Sequence, residues 1–320
     1  MRQSIASLHE LYVRRADLRP NSVKIKERAL GYFLEWFGDM PVDKVNIAIA
    51  EDYRELLSKG RSRAAANTYL ANFKPFFTWL FRHGRIPGNP FDSIRLYKIT
   101  VTPKETFTAD ELSRLMRVSN RLERTQNCLG LLGLRRGEML NLRRENINVK
   151  AEKPHILLCP SKQTKTTWKW EIKDHAVRYV ALPETMSFPD IVVNLHADLE
   201  RLAAQDQPYV CLEPRIYTEI VKSDSGKILW DNPLVHYERN FQRRFNRLQN
   251  RAGIVPARRY HELRAAFITQ MVEHTDLSRA SEAAGHSSIN TTKIYHRYSQ
   301  MSLVEEMNRV ASKCYETYVP

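Results

Sequence analysis

Over residues 1–95 the apolar side chains recur three and four positions apart in three stretches, 25–36, 47–57 and 64–81, the spacing of helices that bury one face. Gly38, Gly60 and Gly84 fall where those helices should stop. Pro75 lies inside the third stretch, where a proline costs about 3 kcal/mol, so a bend or two abutting helices is expected there. Residues 96–106 lose the helical period and contain Pro103, which suggests a linker over 99–106 between a first domain at 1–98 and a second at 107–320. Thr108 then precedes Glu111 by three, the spacing of a capping box.

The second segment mixes periods. Helices are predicted at 109–118, 121–132, just after Arg135, and at 191–204, 238–251, 261–274 and 277–284. Short alternating runs rich in β-branched and aromatic residues at 155–158 and 168–182 predict strands, with SKQTKTT between them as a loop or hairpin tip. The fold class that follows is mainly α with a small antiparallel β-sheet: a small helical domain, a linker and a larger α+β domain. Gly285 is placed to cap a helix C-terminus, and Ser287 or Ser288 to cap the next N-terminus.

Charge adds a partner to this outline. Lys and Arg number 50 against 36 Asp and Glu, a net charge of +14, and residues 1–100 carry half of that excess. Both segments therefore suit a polyanion, where each neutralised phosphate releases counterions. No apolar run is long enough to span a membrane and the first twenty residues lack a signal-peptide core, so an intracellular, cytoplasmic protein is expected. Cys128, Cys159, Cys211 and Cys314 are widely spaced with no C-x-x-C pair, which favours reduced thiols over a zinc cage or a disulfide framework.

Nucleotide-binding and hydrolase signatures (Walker A, G-x-G-x-x-G, G-x-S-x-G) are missing, and the His261-Glu262 pair lacks the second histidine of a zincin because Ala265 stands there. Three segments concentrate cationic and phenolic groups instead. In LLGLRRGEMLNLRRENIN, Gly133 breaks an apolar helix just before Arg135, and Glu138 follows at ion-pair spacing. In RRYHELRAAFITQMVEHT, His261 and Arg264 share a helix face while Leu263, Phe267 and Met271 form a stripe toward a core. An imidazole beside a bidentate guanidinium suits a phosphate oxygen. In SEAAGHSSINTTKIYHRYS, His286 sits in a turn and Tyr295 follows nine residues later, with Tyr298 as a competitor.

Together these segments resemble, in order, spacing and residue type, the boxes of the tyrosine recombinase (phage integrase) family. GLRRGE at 133–138 resembles box I, HELR at 261–264 the H-x-L-R of box II, and GHSSINTTKIY at 285–295 the G-H-x4-T-T-x-x-Y ending. Residues 67–91 resemble the last helix of that family's core-binding domain and the turn after it. Ala265, where the family often has His or Arg, and Pro75, in a helix that usually runs on, depart from the pattern.

The resemblance implies a helical SAM-like core-binding domain that clamps DNA and an α+β catalytic domain, with a C-terminal tail from about residue 299. It implies that Tyr295 attacks a DNA phosphodiester to give a 3′-phosphotyrosyl link and a free 5′-hydroxyl, without metal, nucleotide or other cofactor. Arg135 and Arg264 would clamp the non-bridging oxygens, His261 would assist proton transfer, His286 would bond the phosphate and Glu138 would orient box I. A hairpin lysine would protonate the leaving oxygen. Lys162, Lys165 and Lys173 compete for that role; Lys173 fits the family frame because Arg178 follows by five and Val180-Ala181-Leu182 closes the strand. Lys162, Lys165, Arg243, Arg244 and Arg247, and Arg251 on the same basic helix, are then candidates for phosphate contacts. The implied partner is double-stranded DNA at a specific site, bound as a tetramer through a tail stripe of Leu303, Met307 and Val310. Two other readings compete: type IB topoisomerase-like relaxation, and a DNA-binding regulator without catalysis.

Overall fold

The computed structural model describes residues 3–16, 18, 20–99, 106–172, 177–221, 233–285, 288–289 and 291–292. The chain divides into two compact units, Met1–Thr102 and Pro103–Pro320; residues 100–105, the centre of the expected linker, lie outside the described residues. Among the described residues no helix is long and apolar enough to cross a membrane. Cys128, Cys159 and Cys211 are free thiols.

The first unit is helical: α1 (Ile5–Arg15), α2 (Pro20–Phe37), α3 (Ile47–Ser58) and α4 (Arg63–Arg82). Side-chain oxygens of Ser4, Asn46 and Ser62 cap the N-termini of α1, α3 and α4. Helix α4 passes through Pro75 as one element rather than two. The core is aromatic, with Phe33, Tyr53, Phe73, Phe76, Phe77 and Phe91 all fully buried. Two ionisable groups sit among them. Lys26 donates to the Tyr12 hydroxyl at 3.2 Å and to the Asn72 carbonyl at 3.3 Å, and the buried His9 ring meets Phe76 edge-on at 5.0 Å.

Burial, aided by the Lys26 ammonium, pushes the His9 imidazole down to about 4. Between that value and an unfolded value near 6.5, the unfolded chain binds a proton that the folded unit refuses, so stability falls as pH drops through this window. Wild-type protein should lose up to about 3 kcal/mol more than His9→Leu between pH 7 and pH 4. Urea unfolding of both chains at the two pH values measures the difference; parallel losses would contradict it.

The second unit carries α5 (Ala109–Val118), α6 (Arg121–Leu131), α7 (Arg136–Leu140), α8 (Leu195–Ala203), α9 (Pro214–Val221), α10 (Val235–Arg251), α11 (His261–His274) and α12 (Leu277–Ala284). The Thr108–Glu111 capping box forms at α5, and a second, Asn120–Glu123, opens α6. Strands β1 (Ile147–Asn148), β2 (His155–Leu158) and β3 (Arg178–Ala181) make an antiparallel sheet in the order β1-β2-β3, with Leu158 opposite Arg178.

Two expectations are corrected. Residues 191–194 begin no helix: they are strand β5 (Ile191–Asn194), paired with β4 (Thr185–Phe188) across Pro189-Asp190. Asn194 ends the strand and caps α8, accepting from the Ala197 amide at 2.8 Å. In the run 168–182 the described strand is confined to Arg178–Ala181. Trp168, 1% exposed, instead folds into the core, stacked on Tyr209 at 3.8 Å and donating through its indole N–H to Asn141 Oδ1 at 2.7 Å. A Ser161–Trp170 bridge and the Thr164–Thr167 turn close the intervening loop above that anchor.

Candidate active site

The site is built where α6 gives way to α7. Gly133 has φ +86°, and a Cβ there would lie 2.5 Å from the Phe267 ring, so conformation and close packing both require glycine. The turn leaves the Gly133 carbonyl pointing at two arginines and brings Arg135, with extended backbone, to the N-cap of α7. Glu138, 2% exposed, reaches back: its Oε2 accepts the Arg135 backbone N–H at 2.7 Å and its Oε1 accepts Arg135 Nη1 at 2.8 Å. The predicted Arg135–Glu138 pair is thus a buried anchor rather than a solvated surface pair.

Three guanidiniums converge on the C-terminus of α12. Arg178 donates to the Ala283 carbonyl at 2.7 Å, Arg264 to that of Ala284, and Arg135 to that of Gly285 at 2.7 Å. Arg178 also donates to Glu138 Oε2 at 2.6 Å, Arg264 donates to the Gly133 carbonyl, and Arg264 Nη1 lies 3.9 Å from Glu138 Oε2. Three successive carbonyls at a helix C-terminus carry partial negative charge, which favours cations there. Gly285 itself has φ +61°, the left-handed cap expected of it. Burial alone would push the Glu138 carboxyl up, but the Arg178 guanidinium, the Arg135 N–H and guanidinium, and Arg264 outweigh it and hold the group below the usual carboxylate range.

Helix α11 departs from the expected geometry. His261 is exposed in its first turn while Arg264 is 1% exposed, so the two differ sharply in burial. The apolar stripe is not Leu263, Phe267 and Met271. Leu263 joins the main core, whereas Ala265, Ile268 and Val272 pack on Ala280 and Ala284 of α12, leaving Phe267 and Met271 at the margin. A helix buried on two sides has no single apolar face, and Arg264 lies between them because Glu138 and two carbonyls compensate its charge.

Lys173, His286, Tyr295, Tyr298 and the tail from 299 lie outside the described residues. Lys162 and Lys165 are exposed on the loop that Trp168 anchors. Arg243 and Arg247 are exposed one turn apart on α10, whereas Arg244 pairs with Glu213 and sits 4.9 Å from the Tyr237 ring centre. Arg251, also exposed, donates to the Val118 carbonyl. Arg178, read from sequence only as a register mark, is the member of the cluster that the motifs did not supply.

The phage integrase family model matches residues 211–301, the segment from α9 through α12 and beyond. Among curated proteins, the chain is 22% identical over 289 residues to the tyrosine recombinase XerC of Proteus mirabilis, covering 87% of this chain and 83% of that protein. It is 26% identical over 260 residues to the tyrosine recombinase XerA of Pyrococcus furiosus, covering 80% and 77%. Among solved structures, the Tn1549 transposon integrase in complex with transposon right end DNA superposes with a TM-score of 0.70 at 18% identity, covering 97% of this chain and all of that one. A lambda integrase dimer bound to a COC′ core site gives 0.63 at 14% identity over 92% and 95%.

Proposed function

This chain belongs to the tyrosine recombinase (phage integrase) family, and we propose that it breaks and rejoins DNA at a specific site through Tyr295. The observation that carries the reading is the convergence of Arg135 and Arg264, both beside Glu138, on the carbonyls immediately before His286. Arg135 and Arg264 bind the two non-bridging oxygens and offset the charge that builds on them in the transition state. The Tyr295 oxygen bonds to phosphorus as the bond to the 5′-oxygen breaks, and the phenol proton passes to His261. Lys173 protonates the departing 5′-oxygen, because an alkoxide leaves poorly at neutral pH. His286 donates to the phosphate. Attack of a 5′-hydroxyl from a second duplex reverses these steps and exchanges the strands, with bond energy conserved in the phosphotyrosine.

Exposed Lys162, Lys165, Arg243 and Arg247 hold the phosphate backbone around the reacting position. Arg244 is committed to Glu213 and contributes less. The tail stripe of Leu303, Met307 and Val310 docks on a neighbouring protomer in a DNA-bound tetramer, and the protein works on the nucleoid in the cytoplasm. Of the rival readings, relaxation and site binding without catalysis both lack strand exchange. Incubating the protein with a supercoiled plasmid and a labelled duplex, both carrying its own attachment region, should yield recombinant strands; supercoil relaxation without recombinants would overturn the reading. Truncation after Gln300 should weaken cooperative assembly on paired sites more than binding to one site, and equal loss of both would refute the tail's role.

A further inference from the structure

Arg178 makes the shortest contact to Glu138 within the cluster, at 2.6 Å, with a side chain 9% exposed. Its guanidinium also donates to the Ala283 and Gly133 carbonyls, so all of its hydrogen bonds run to the groups that hold the clamp arginines and the cap. We propose that Arg178 is a positioning residue: it fixes Arg135, Arg264 and the turn at Gly285 in the geometry that clamps the phosphate. The proposal rests on the recombinase reading.

Two of its three acceptors are shared with a clamp arginine, and the third adjoins theirs. Arg178 bonds the same Glu138 oxygen that accepts the Arg135 backbone N–H. It points Nη2 at the Gly133 carbonyl, 3.4 Å away, which also accepts from Arg264. It takes the Ala283 carbonyl, next in line to those taken by Arg264 and Arg135. Its aliphatic stem packs against the cap: a Cβ at Gly285 would come within 2.9 Å of Arg178 Cδ. Arg178 thereby ties strand β3 to the end of α12, two elements distant in sequence.

Removing it has a directed consequence. Glu138 Oε2 loses the guanidinium bonded to it, while Arg135 stays on Oε1 and Arg264 Nη1 stands 3.9 Å from Oε2, beyond hydrogen-bond reach. A buried carboxylate with an emptied site recruits that neighbour. Arg264 is then drawn toward Glu138 and away from the phosphate, while the Ala283 carbonyl loses its donor. A lysine preserves the charge but cannot span carboxylate and carbonyl in one plane, so it restores the geometry only in part.

The test uses the full-length protein and nicked duplexes tiled across the DNA flanking its own coding sequence. The cleaved position, mapped with wild-type protein, is then remade as a methylphosphonate, in which a methyl group replaces one charged oxygen. That transition state carries one negative charge fewer and depends less on the clamp. Arg178→Ala should slow adduct formation about 100-fold on the phosphodiester but less than about 5-fold on the methylphosphonate, with binding by gel shift nearly unchanged. Arg178→Lys should show the same selectivity at smaller size, and it decides the matter if the alanine variant does not fold. Equal loss on both linkages, or no loss on either, would overturn the positioning role while wild-type activity leaves the recombinase reading standing. Wild-type protein that forms no adduct on any duplex would remove that reading and this proposal with it.

Discussion

Arg264→Ala should lower the rate of covalent attachment to DNA by about 1000-fold while leaving affinity for the duplex within a few-fold of wild type. The expectation follows from how this guanidinium is held. It is 1% exposed, tied to the Gly133 and Ala284 carbonyls, and close to Glu138, so its orientation is set before any phosphate arrives. A preorganised donor aimed at developing charge acts on the transition state more than on the ground state. Binding, by contrast, draws on many exposed cations spread over the chain, of which Arg264 is not one. The same substitution leaves two carbonyls without their donor and a cavity in place of the side chain, so a lower melting temperature is expected as well. Single-turnover adduct formation at a temperature well below that melting point separates the two effects. A fall in affinity that matches the fall in rate would contradict the assignment.

The largest effect on stability is expected at Glu138. One buried carboxylate faces Arg135, Arg178 and Arg264, two of which are almost wholly enclosed. Truncating it strands those charges, and breaking a buried ion pair by removing one partner costs about 3–5 kcal/mol. Glu138→Ala should lose an amount in that range in urea unfolding. Glu138→Gln keeps an acceptor and the volume and should lose less. The pH dependence has a definite sign. The folded carboxyl titrates below its unfolded value, so its contribution is complete above the unfolded value and is lost as pH falls through the folded one. Glu138→Gln should therefore unfold with a shallower acid dependence than wild type below about pH 4.5. Identical acid profiles would show that the carboxylate is not the hub of the cluster.

Local chemistry made much of this molecule legible. Gly133 and Gly285 announced their turns because only glycine takes a positive φ without strain, and both do so here. Thr108 and Glu111 announced the start of α5 because capping is a matter of spacing. The hairpin β4–β5 was readable in principle from the alternation of Thr185–Phe188 and the Pro189-Asp190 turn. The apolar run 191–193 leads straight into a true helix, however, and period alone does not divide them. Trp168 escapes the strand pattern for a related reason: its burial depends on Tyr209 and Asn141, distant in sequence.

The same limit applies inside the site. Arg135 and Glu138 are three apart, and their pairing could be read directly. That Arg264 is buried could not, since what permits it is a carboxylate from α7 and a carbonyl from the end of α12. Arg178 was visible as an arginine in a strand but not as a site residue. Its three partners, Gly133, Glu138 and Ala283, come from segments that only the tertiary fold brings together.

Tyr295 is expected to become covalently joined to DNA. The direct measurement incubates purified protein with nicked duplexes spanning its attachment region, isolates the SDS-resistant product, digests both components and identifies the nucleotide-bearing peptide by mass spectrometry. The expected product is a 3′-phosphate linked to the tyrosine of the peptide that follows GHSSINTT, at Tyr295, with no adduct from Tyr295→Phe protein that still binds the duplex. Attachment at Tyr298, or binding without any covalent product from wild-type protein, would contradict it.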